Sequence, residues 1–340
     1  MMKKILCAML SVFVLTCCAC AGDLSAGSAI LIDADSGEAL FEKKPDERRL
    51  IASTTKIMTA LVVLENCGLD EKVVVPKECE RVGGSSMYLR AGDDVTVRDL
   101  LYGLLLMSGN DAGLALACHC GKGSVDEFVM MMNLYAQDLG LADTSFENPH
   151  GLDGEQNYST ARDMAALAAH AMRNAVFAEI VSTKDINLSG RFMHNHNKLL
   201  WRLDGACGVK TGFTKAAGRC LVSCAEHHGR RFIAVTLSAP DDWNDHEKLY
   251  RAVFDALEEH VLVKAGERAA MVPSVTGNDA EVVYDGDLSM WMTPYEYETA
   301  EIRLNLPSFL YGGRMRGERA GSADIYVRGV KAGSVALIYK

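Results

Sequence analysis

The sequence predicts an α+β fold, in which an antiparallel sheet is flanked by a cluster of helices and a small all-β domain follows. Strand-like runs occur near both ends of residues 22–261, helical periodicity fills the interval between them, and short β-prone runs separated by glycines make up the remainder. With 340 residues, of which 49% are hydrophobic, the chain can bury a sizeable core. A sheet assembled from distant segments is typical of this order.

The first half of the chain opens with a predicted hairpin and continues with helices. Apolar runs at 29–33 and 38–41 flank the turn sequence Ala34-Asp35-Ser36-Gly37. A helical period begins at Ser53 and is stopped by Gly68. Three further helix starts follow at Thr96-Val97-Arg98-Asp99, Ser124-Val125-Asp126-Glu127 and Thr160-Ala161-Arg162-Asp163.

The second half returns to strands. Three are predicted at Gly208–Gly212, Arg219–Ala225 and Phe232–Leu237, and a helix is predicted from Asp245 to His260. Shorter β-prone runs then follow at Glu281–Tyr284, Glu301–Leu306, Ile325–Val327 and Ser334–Tyr339. We therefore expect one domain over residues 22–261 and a small β-rich domain over residues 262–340.

Residues 1–21 match the pattern of a secretory signal peptide. Two lysines precede an apolar run from Ile5 to Leu15, and small residues lead up to Gly22. Because this run is too short to span a bilayer comfortably, we expect cleavage after Ala21 and export to the cell envelope, at the outer face of the cytoplasmic membrane. The alternative is a lipoprotein site with Cys18 acylated, although Cys17 stands where such sites usually have Gly, Ala or Ser.

The net charge argues against one class of partner, and the cysteine content argues against disulfides and a metal site. The net charge of −10, without any long Lys/Arg block, argues against nucleic acid as a partner. Because the predicted mature chain has an odd number of cysteines, we expect reduced, buried thiols and no complete disulfide framework. The segment Cys118-His119-Cys120 has no second ligand pair at zinc-like spacing, so core packing and no metal site are expected there. The cysteines concerned are Cys67, Cys79, Cys118, Cys120, Cys207, Cys220 and Cys224.

Three short sequence strings contain the candidate catalytic residues. Ser53-Thr54-Thr55-Lys56 starts an apolar helix, Ser108-Gly109-Asn110 lies between two predicted helices, and Lys210-Thr211-Gly212 lies on a strand that continues into a hairpin. Each string alone occurs by chance in many chains of this length. Their order, spacing and placement together indicate a serine acyl-transferase.

The residue types suit nucleophilic catalysis without a cofactor. Serine needs a base within hydrogen-bond reach, and Lys56 lies on the same helix face as Ser53. Burial near the cation of Lys210 would lower the pKa of Lys56 towards neutrality. We expect Ser108 to pass a proton to the leaving amine and Asn110 to hold a peptide group of the substrate.

The sequence resembles the low-molecular-mass penicillin-binding proteins with D-alanyl-D-alanine carboxypeptidase activity. The resemblance runs from about Ala29 to His260, through the three strings and through Asn148-Pro149-His150-Gly151-Leu152 and Tyr158-Ser159-Thr160-Ala161-Arg162-Asp163. It implies a β-lactamase/transpeptidase-like domain with an antiparallel sheet flanked by a helical cluster. It also implies removal of the last D-alanine from peptidoglycan stem peptides ending in D-Ala-D-Ala, and acylation by β-lactam antibiotics, in cell wall biogenesis.

The resemblance also assigns roles to residues. Ser53 is the expected nucleophile, Lys56 the general base, and Ser108 with Asn110 the second catalytic element. Lys210, Thr211 and Gly212 form the third element. Lys210 and Thr211 are expected to bind the substrate carboxylate, and Gly212 lets the backbone of the strand approach the substrate. The expected oxyanion hole consists of the NH groups of Ser53 and Phe213.

Two departures from the family pattern affect substrate and membrane binding. Relatives usually end in an amphipathic helix that binds the membrane, whereas the last residues here have a strand-like pattern, so the mode of the expected peripheral membrane association stays open. Some relatives place an Arg after the last core strand, and none occurs between Asp241 and His246. Lys210 is therefore expected to bind the carboxylate alone, with Arg219 and Arg251 as surface charges.

Two other functions are alternatives to the carboxypeptidase. A serine β-lactamase would require a water-activating Glu, and Glu147 lacks the E-x-x-L-N arrangement of such enzymes. A non-catalytic peptidoglycan-binding or β-lactam-sensing protein predicts loss of Ser53, Lys56 or Lys210, and all three are present. Transpeptidase or endopeptidase side activity stays open. Structural or solvating roles were expected for His150, His194-Asn195-His196, Asp153 and Glu155.

Overall fold

The structure is a computed structural model that describes residues 23–275, 277–312 and 314–340. The predicted signal peptide, residues 1–21, lies outside the described residues. The chain divides into two compact units, the first ending at Ala252 and the second comprising Val253–Lys340. The domain boundary predicted after residue 261 stays a prediction.

The first unit combines a sheet with helices. Its strands are β1 (Ser28–Asp33), β2 (Ala39–Lys43), β3 (Arg49–Leu50), β4 (Lys72–Val74), β5 (Asp94–Thr96), β6 (Tyr158–Ser159), β7 (Asp185–Leu188), β8 (Arg191–His194), β9 (Ala206–Thr214), β10 (Gly218–His227) and β11 (Arg230–Leu237). Its helices are α1 (Lys56–Asn66), α2 (Val97–Leu105), α3 (Asn110–Cys120), α4 (Val125–Asp138), α5 (Ala161–Ala171), α6 (Ala175–Ser182), α7 (Leu199–Arg202) and α8 (Asp242–Phe254).

The central sheet has five antiparallel strands in the order β2-β1-β11-β10-β9. Strand β1, from the start of the unit, pairs with β11, from its end, with Ser28 opposite Leu237. The helices that intervene in sequence share one hydrophobic core with the sheet. This arrangement confirms the predicted sheet assembled from distant segments with helices between them.

A buried histidine fixes α8 to the sheet. The ring of His246 lies 2.6 Å from the hydroxyl of Ser223 on β10 and 2.9 Å from that of Thr236 on β11. Because both ring nitrogens are engaged with hydroxyl groups, His246 is a satisfied core residue. Strand β9, which contains the third string, is one of the two edge strands of this sheet, and β2 is the other.

The helix predicted from Ser53 begins differently from expectation. Residues Ala52–Thr55 form a 3₁₀ turn, and the α-helix proper begins at Lys56. The hydroxyls of Thr54 and Thr55 donate to the carbonyls of Ile51 and Ala52, at 2.7 and 2.9 Å. These side-chain bonds to carbonyls three residues earlier accompany the tighter turn, which places Ser53 at the entrance of α1.

The helix prediction from Asp245 to His260 was wrong at its C-terminal end. Helix α8 ends at Phe254, and the segment Glu258–Val263 is a strand. This strand pairs with a second one in the C-terminal unit, where Glu258 lies opposite Met292. The pairing replaces helical hydrogen bonds with a ladder, and tertiary context thereby overrides the local helical pattern.

The second unit is rich in strands, as predicted. Its elements are β12 (Glu258–Val263), β13 (Arg268–Val272), β14 (Ala280–Tyr284), β15 (Leu288–Met292), α9 (Pro294–Thr299), β16 (Glu301–Asn305), β17 (Arg319–Val327) and β18 (Val330–Tyr339). Five of the strands form a sheet in the order β13-β14-β18-β17-β16, and β12 pairs with β15. The unit has its own small core, which includes Val272, Val282 and Leu337.

Candidate active site

Ser53 and Lys56 form the centre of the site. The Nζ of Lys56 lies 2.9 Å from the Oγ of Ser53, and it also donates to the Oδ1 of Asn110 at 2.7 Å and to the carbonyl of His150 at 2.5 Å. Ser53 is half-buried, whereas Lys56 is fully buried. The serine hydroxyl therefore remains accessible beside an amine that is shielded from water.

The environment of Lys56 favours its neutral form. Burial and, to a lesser extent, the positive charge of Lys210 hold the pKa of Lys56 well below its usual value, while Asp111 opposes this effect. A neutral amine at hydrogen-bond distance can accept the proton of the serine hydroxyl. The pair therefore has the geometry and the protonation tendency that a nucleophile and its base require.

The second string forms a tight turn between α2 and α3. Ser108 is buried and has a positive φ of 61°, a conformation that non-glycine residues seldom adopt. Asn110 is the first residue of α3; its Nδ2 donates to the carbonyl of Gly83 at 2.6 Å, while its Oδ1 accepts from Lys56. The side chain of Asn110 thus joins a neighbouring loop to the central lysine.

The third string lies on the edge strand β9. The ammonium of Lys210 is almost completely buried and donates to the carbonyl of Thr211 at 2.9 Å. Burial lowers the pKa of Lys210 to about 7. Phe213, two residues after Thr211, is 64% exposed. The strand therefore presents a desolvated cation, a hydroxyl and an open backbone edge to an incoming peptide.

Gly212 brings β9 against the nucleophile turn. A Cβ placed on Gly212 would lie 3.0 Å from the carbonyl oxygen of Ile51 and 3.1 Å from the backbone nitrogen of Ser53. These distances are shorter than most contacts of a Cβ atom, so an alanine would require the neighbouring backbone to shift, and glycine permits the close approach without a shift. The backbone of the third string therefore lies beside the NH of Ser53.

The loop of residues 148–152 supplies a carbonyl that residue-type reasoning assigned no role. The His150 carbonyl accepts from Lys56, and the Oδ1 of Asn148 accepts from the backbone NH of Gly151 at 2.7 Å. Burial and the charge of Lys56 lower the pKa of the His150 ring to about 4. In the sequence, the resemblance of residues 148–152 to the family was the available signal for this loop. The atom that contacts Lys56 is the backbone carbonyl oxygen of His150, which residue type does not specify.

Asp111 is a second residue without a predicted role. Its carboxylate is buried and accepts hydrogen bonds from the Ser86 hydroxyl at 2.6 Å and from the backbone NH groups of Met87 and Leu89, both at 3.0 Å. This carboxylate fixes the loop that precedes β5 against the start of α3. In the sequence, only the position of Asp111 next to Asn110 indicated that it could lie near the site.

Asp153 is an exposed loop residue that also makes a contact across the site. Its carboxylate accepts a hydrogen bond of 2.6 Å from the hydroxyl of Thr214, at the end of β9. Asp153 therefore connects the loop after His150 to the strand of the third string.

The segment His194-Asn195-His196 includes one structural histidine and one that is near the third string. His194 is the last residue of β8, where it pairs with Asp185 at 2.6 Å and stacks on Trp201 at 4.9 Å between ring centroids. Burial, with the charge of Lys210 as a smaller cause, lowers the pKa of His196. His194 is thus structural, as expected, whereas His196 lies within electrostatic reach of the third string.

Comparison with known proteins identifies the family of the chain. The sequence profile of the family described as D-alanyl-D-alanine carboxypeptidase matches residues 16–241. The chain belongs to this family. The match covers all three strings, and it confirms the predicted family and the enzyme class, a serine-type carboxypeptidase.

Curated members of the D-alanyl-D-alanine carboxypeptidase family align with most of the chain. The enzyme DacF of Bacillus subtilis is 37% identical over 260 residues, which are 73% of this chain and 67% of the relative. The enzyme DacC of Escherichia coli is 40% identical over 246 residues, covering 67% of this chain and 61% of the relative. The chain thus spans roughly two thirds of the length of these two carboxypeptidases.

Solved structures of the family share the fold. Penicillin binding protein 5 from Haemophilus influenzae has a TM-score of 0.69 at 30% identity, with 93% of this chain and 97% of that chain covered. The DD-transpeptidase of Streptomyces K15 has a TM-score of 0.66 at 38% identity, covering 68% of this chain and 98% of its own. The predicted transpeptidase-like fold class with a small C-terminal β domain is therefore confirmed.

Within the described ranges, every helix is too short or too polar to cross a bilayer. The peripheral association expected from the resemblance stays a prediction.

Proposed function

We propose that this family member removes the terminal D-alanine from peptidoglycan stem peptides ending in D-Ala-D-Ala, through an acyl-enzyme on Ser53. The observation that carries the proposal is the 2.9 Å contact between Ser53 and the fully buried amine of Lys56. Family membership supplies the reaction class. The hydrogen bonds and burial described above support the individual residue roles.

In the acylation step, neutral Lys56 accepts the proton of the Ser53 hydroxyl as its Oγ attacks the carbonyl carbon of the D-Ala-D-Ala peptide bond. Negative charge develops on the carbonyl oxygen. The NH groups of Ser53 and Phe213 are the proposed donors to this oxyanion, and the approach of Gly212 to the Ser53 nitrogen supports that placement. Both donors are backbone groups, so they are held in place before substrate arrives.

In the second half of acylation, the peptide bond breaks and the amine of D-alanine takes up a proton. We assign its delivery to the hydroxyl of Ser108, because this residue is buried in the turn that leads directly into Asn110. Asn110 has one hydrogen bond to Lys56 and one to Gly83, and we assign it the peptide group that precedes the scissile bond. Protonated Lys56 then restores the proton of Ser108. In deacylation, neutral Lys56 accepts a proton from the water that attacks the ester and returns this proton to the leaving Oγ of Ser53.

The carboxylate of the terminal D-alanine is the proposed ligand of Lys210 and Thr211. A desolvated ammonium and a neighbouring hydroxyl are suited to a carboxylate, which in turn would favour the charged form of Lys210. Arg219, the other cation considered for this task, forms an ion pair of 2.8 Å with Asp242. Lys210 is therefore the better candidate.

The same geometry favours slow hydrolysis of penicillin over β-lactamase activity. Within the part of the chain that the structure describes, neither Ser53 nor Lys56 has a hydrogen bond to a carboxylate. Glu147 is exposed and accepts from the backbone NH of Gln156 at 2.9 Å. Without a carboxylate to activate water, a penicilloyl ester on Ser53 should persist.

Export and domain division complete the proposal. The pattern of residues 1–21 supports cleavage after Ala21 and action outside the cytoplasm, in the cell envelope, where peptidoglycan is made. We assign the peptidase domain to residues 22–261 and a β-rich appendage to residues 262–340. The N-terminal segment can be tested separately, by sequencing the N-terminus of the exported protein.

The decisive experiment is acylation of the purified protein by a fluorescent penicillin, with Ser53→Ala alongside. Release of D-alanine from diacetyl-Lys-D-Ala-D-Ala is followed in parallel. We expect stable labelling and D-alanine release that both require Ser53. Labelling with rapid drug turnover and no release would identify a β-lactamase, and the absence of labelling in a folded protein would refute the catalytic proposal.

A further inference from the structure

Helices α1 and α3, which carry two of the catalytic strings, are in contact at both of their ends. Their first residues, Lys56 and Asn110, are joined by the 2.7 Å hydrogen bond at the active site. Cys67 caps the C-terminus of α1, and Cys120 is the last residue of α3. The two helices pack against each other, and the Sγ of Cys67 lies within 4.8 Å of a ring nitrogen of His119, the residue before Cys120. The two cysteines therefore lie at neighbouring C-terminal ends of helices that run in the same direction, with their thiols adjacent.

The two thiols differ in chemical character. Hydrogen bonding from Cys120 lowers the pKa of Cys67 to about 7, and the charge of His119 contributes to this effect. The same hydrogen bond raises the pKa of Cys120. Both residues are only half-buried, so a small reagent can reach them. A partly ionised thiol beside a protonated one is the arrangement that thiol–disulfide exchange requires.

We propose that Cys67 and Cys120 form a disulfide that joins the C-terminal ends of the two catalytic helices. In the reaction, the thiolate of Cys67 attacks a low-molecular-mass disulfide, forming a mixed disulfide and releasing one thiol. Cys120 then loses its proton and attacks the sulfur of Cys67, which releases the second thiol. Two protein thiols are oxidised and one disulfide is reduced to two thiols.

A metal ion is the competing use of the same cluster. Ligand atoms of Cys67, Glu71 and His119 all lie within 4.8 Å of one another, as three ligands of one ion would. However, the Nε2 of His119 is already 2.9 Å from the carboxylate of Glu71, and the other oxygen of that carboxylate accepts from the NH of Gly68 at 2.6 Å. The direct partner of the Cys67 thiol is Cys120, which favours the disulfide.

The disulfide would close a long loop and therefore stabilise the fold. Cys67 and Cys120 are far apart in sequence, and cross-linking such residues reduces the conformational freedom of the unfolded chain. The link lies at the opposite ends of α1 and α3 from the active site. We therefore expect it to hold the two helices together without contacting the substrate, and this expectation does not depend on the proposed function.

The test begins with the full chain purified under reducing conditions and then equilibrated in glutathione redox buffers. Non-reducing peptide mapping should show the Cys67 peptide joined to the Cys120 peptide. Oxidation should raise the Tm by about 5 °C or more. This rise should be absent in Cys67→Ser and in Cys120→Ser. Labelling by a fluorescent penicillin in both redox states shows that each variant is folded.

Cys207→Ser is the matched control. Cys207 and Cys224 form another hydrogen-bonded thiol pair, which lies between β9 and β10. This variant should keep the oxidation-dependent rise in Tm. Persistence of both thiols, or linkage of Cys67 to a different cysteine, would overturn the proposal. Binding of one equivalent of added zinc that requires Cys67 and His119 and prevents the link would overturn it in favour of a metal site.

Discussion

Asn110 accepts a 2.7 Å hydrogen bond from Lys56, and each of these residues is the first of its helix. The bond joins the first two catalytic strings directly. It also uses the lysine as a donor, although the reaction requires the same nitrogen to accept a proton from Ser53. A neutral amine can do both, since it retains two N–H groups and one lone pair. The predictions below follow from this site.

Two substitutions of Lys56 should distinguish its role as a base from the effect of its burial on stability. In Lys56→Arg the positive charge is permanent, because guanidinium does not lose its proton in proteins, so acylation by penicillin should slow by about 10²- to 10⁴-fold. Lys56→Met should lose the same activity but keep or raise the Tm, because an apolar side chain replaces a buried amine. Stopped-flow acylation and thermal unfolding measure the two effects. An Arg variant that acylates at the wild-type rate would contradict the assignment of the base.

The stability of the protein should depend on pH through Lys210. The folded pKa is about 7, below the usual value of 10.5, so the unfolded chain binds more protons between these values. Stability therefore rises with pH across this window, and the destabilising contribution is fully present below about pH 7. Lys210→Met should raise the Tm by about 5 °C or more at pH 7 and very little near pH 10.5.

The control for this experiment is Lys198→Met, which alters an exposed lysine in the same unit. Its difference in Tm from the wild type should be small and should not change with pH. Thermal unfolding of the three proteins in a series of buffers provides the comparison. A Lys210→Met variant whose gain in Tm is independent of pH would show that Lys210 is charged in the folded protein.

Removal of the Asp111 charge should loosen the loop before β5. Asp111→Asn replaces one of the two acceptor oxygens with an NH₂ group, so the backbone NH of either Met87 or Leu89 loses its acceptor. We expect a fall in Tm of several degrees, since a buried network is broken. We also expect slower acylation, because Asn110 is adjacent. Ser86→Ala removes only one donor and should have a smaller effect on both; equal effects would argue against the carboxylate as the centre of this network.

A methyl group at Gly212 should block the space between β9 and the nucleophile turn. Gly212→Ala would force Ile51 and Ser53 away from the strand, so we expect a loss of acylation by 100-fold or more, on the order of one oxyanion donor. Gly286→Ala, in the second unit, adds a methyl group whose nearest neighbour is 4.0 Å away and should be neutral. Acylation kinetics and circular dichroism distinguish a displaced strand from an unfolded one. Normal acylation in Gly212→Ala would refute the proposed position of the oxyanion.

The fold and the chemical strings could be read from the sequence because they depend on residue type and periodicity. Lys56, Asn110 and Lys210 are specified by their side chains, and the structure brings Lys56 into direct contact with Ser53 and Asn110. The carbonyl of His150 could not be predicted in the same way, because every residue has a carbonyl. Its role depends on how the loop after Asn148 is folded.

Two other failures have a related cause. The hydrogen bonds to Asp111 and Asp153 were missed because the hydroxyl groups that donate to these carboxylates are distant in sequence. One sequence contains no record of which loop approaches which carboxylate. The end of α8 was misplaced because residues 255–260 continue an amphipathic pattern. Pairing of β12 with β15 decides the conformation there, and this pairing is invisible to local periodicity.

The order of strands in the central sheet has a consequence for how the enzyme matures. Strand β9 is attached to the rest of the sheet only through β10, β10 through β11, and β11 through β1. During synthesis or vectorial transport, Ser53 and Lys56 emerge long before the residues that join β9 to the first strand. The active site can therefore form only after the end of this domain has been synthesised. In a nascent chain interrupted before Leu237, strand β9 could not join the sheet beside Ser53.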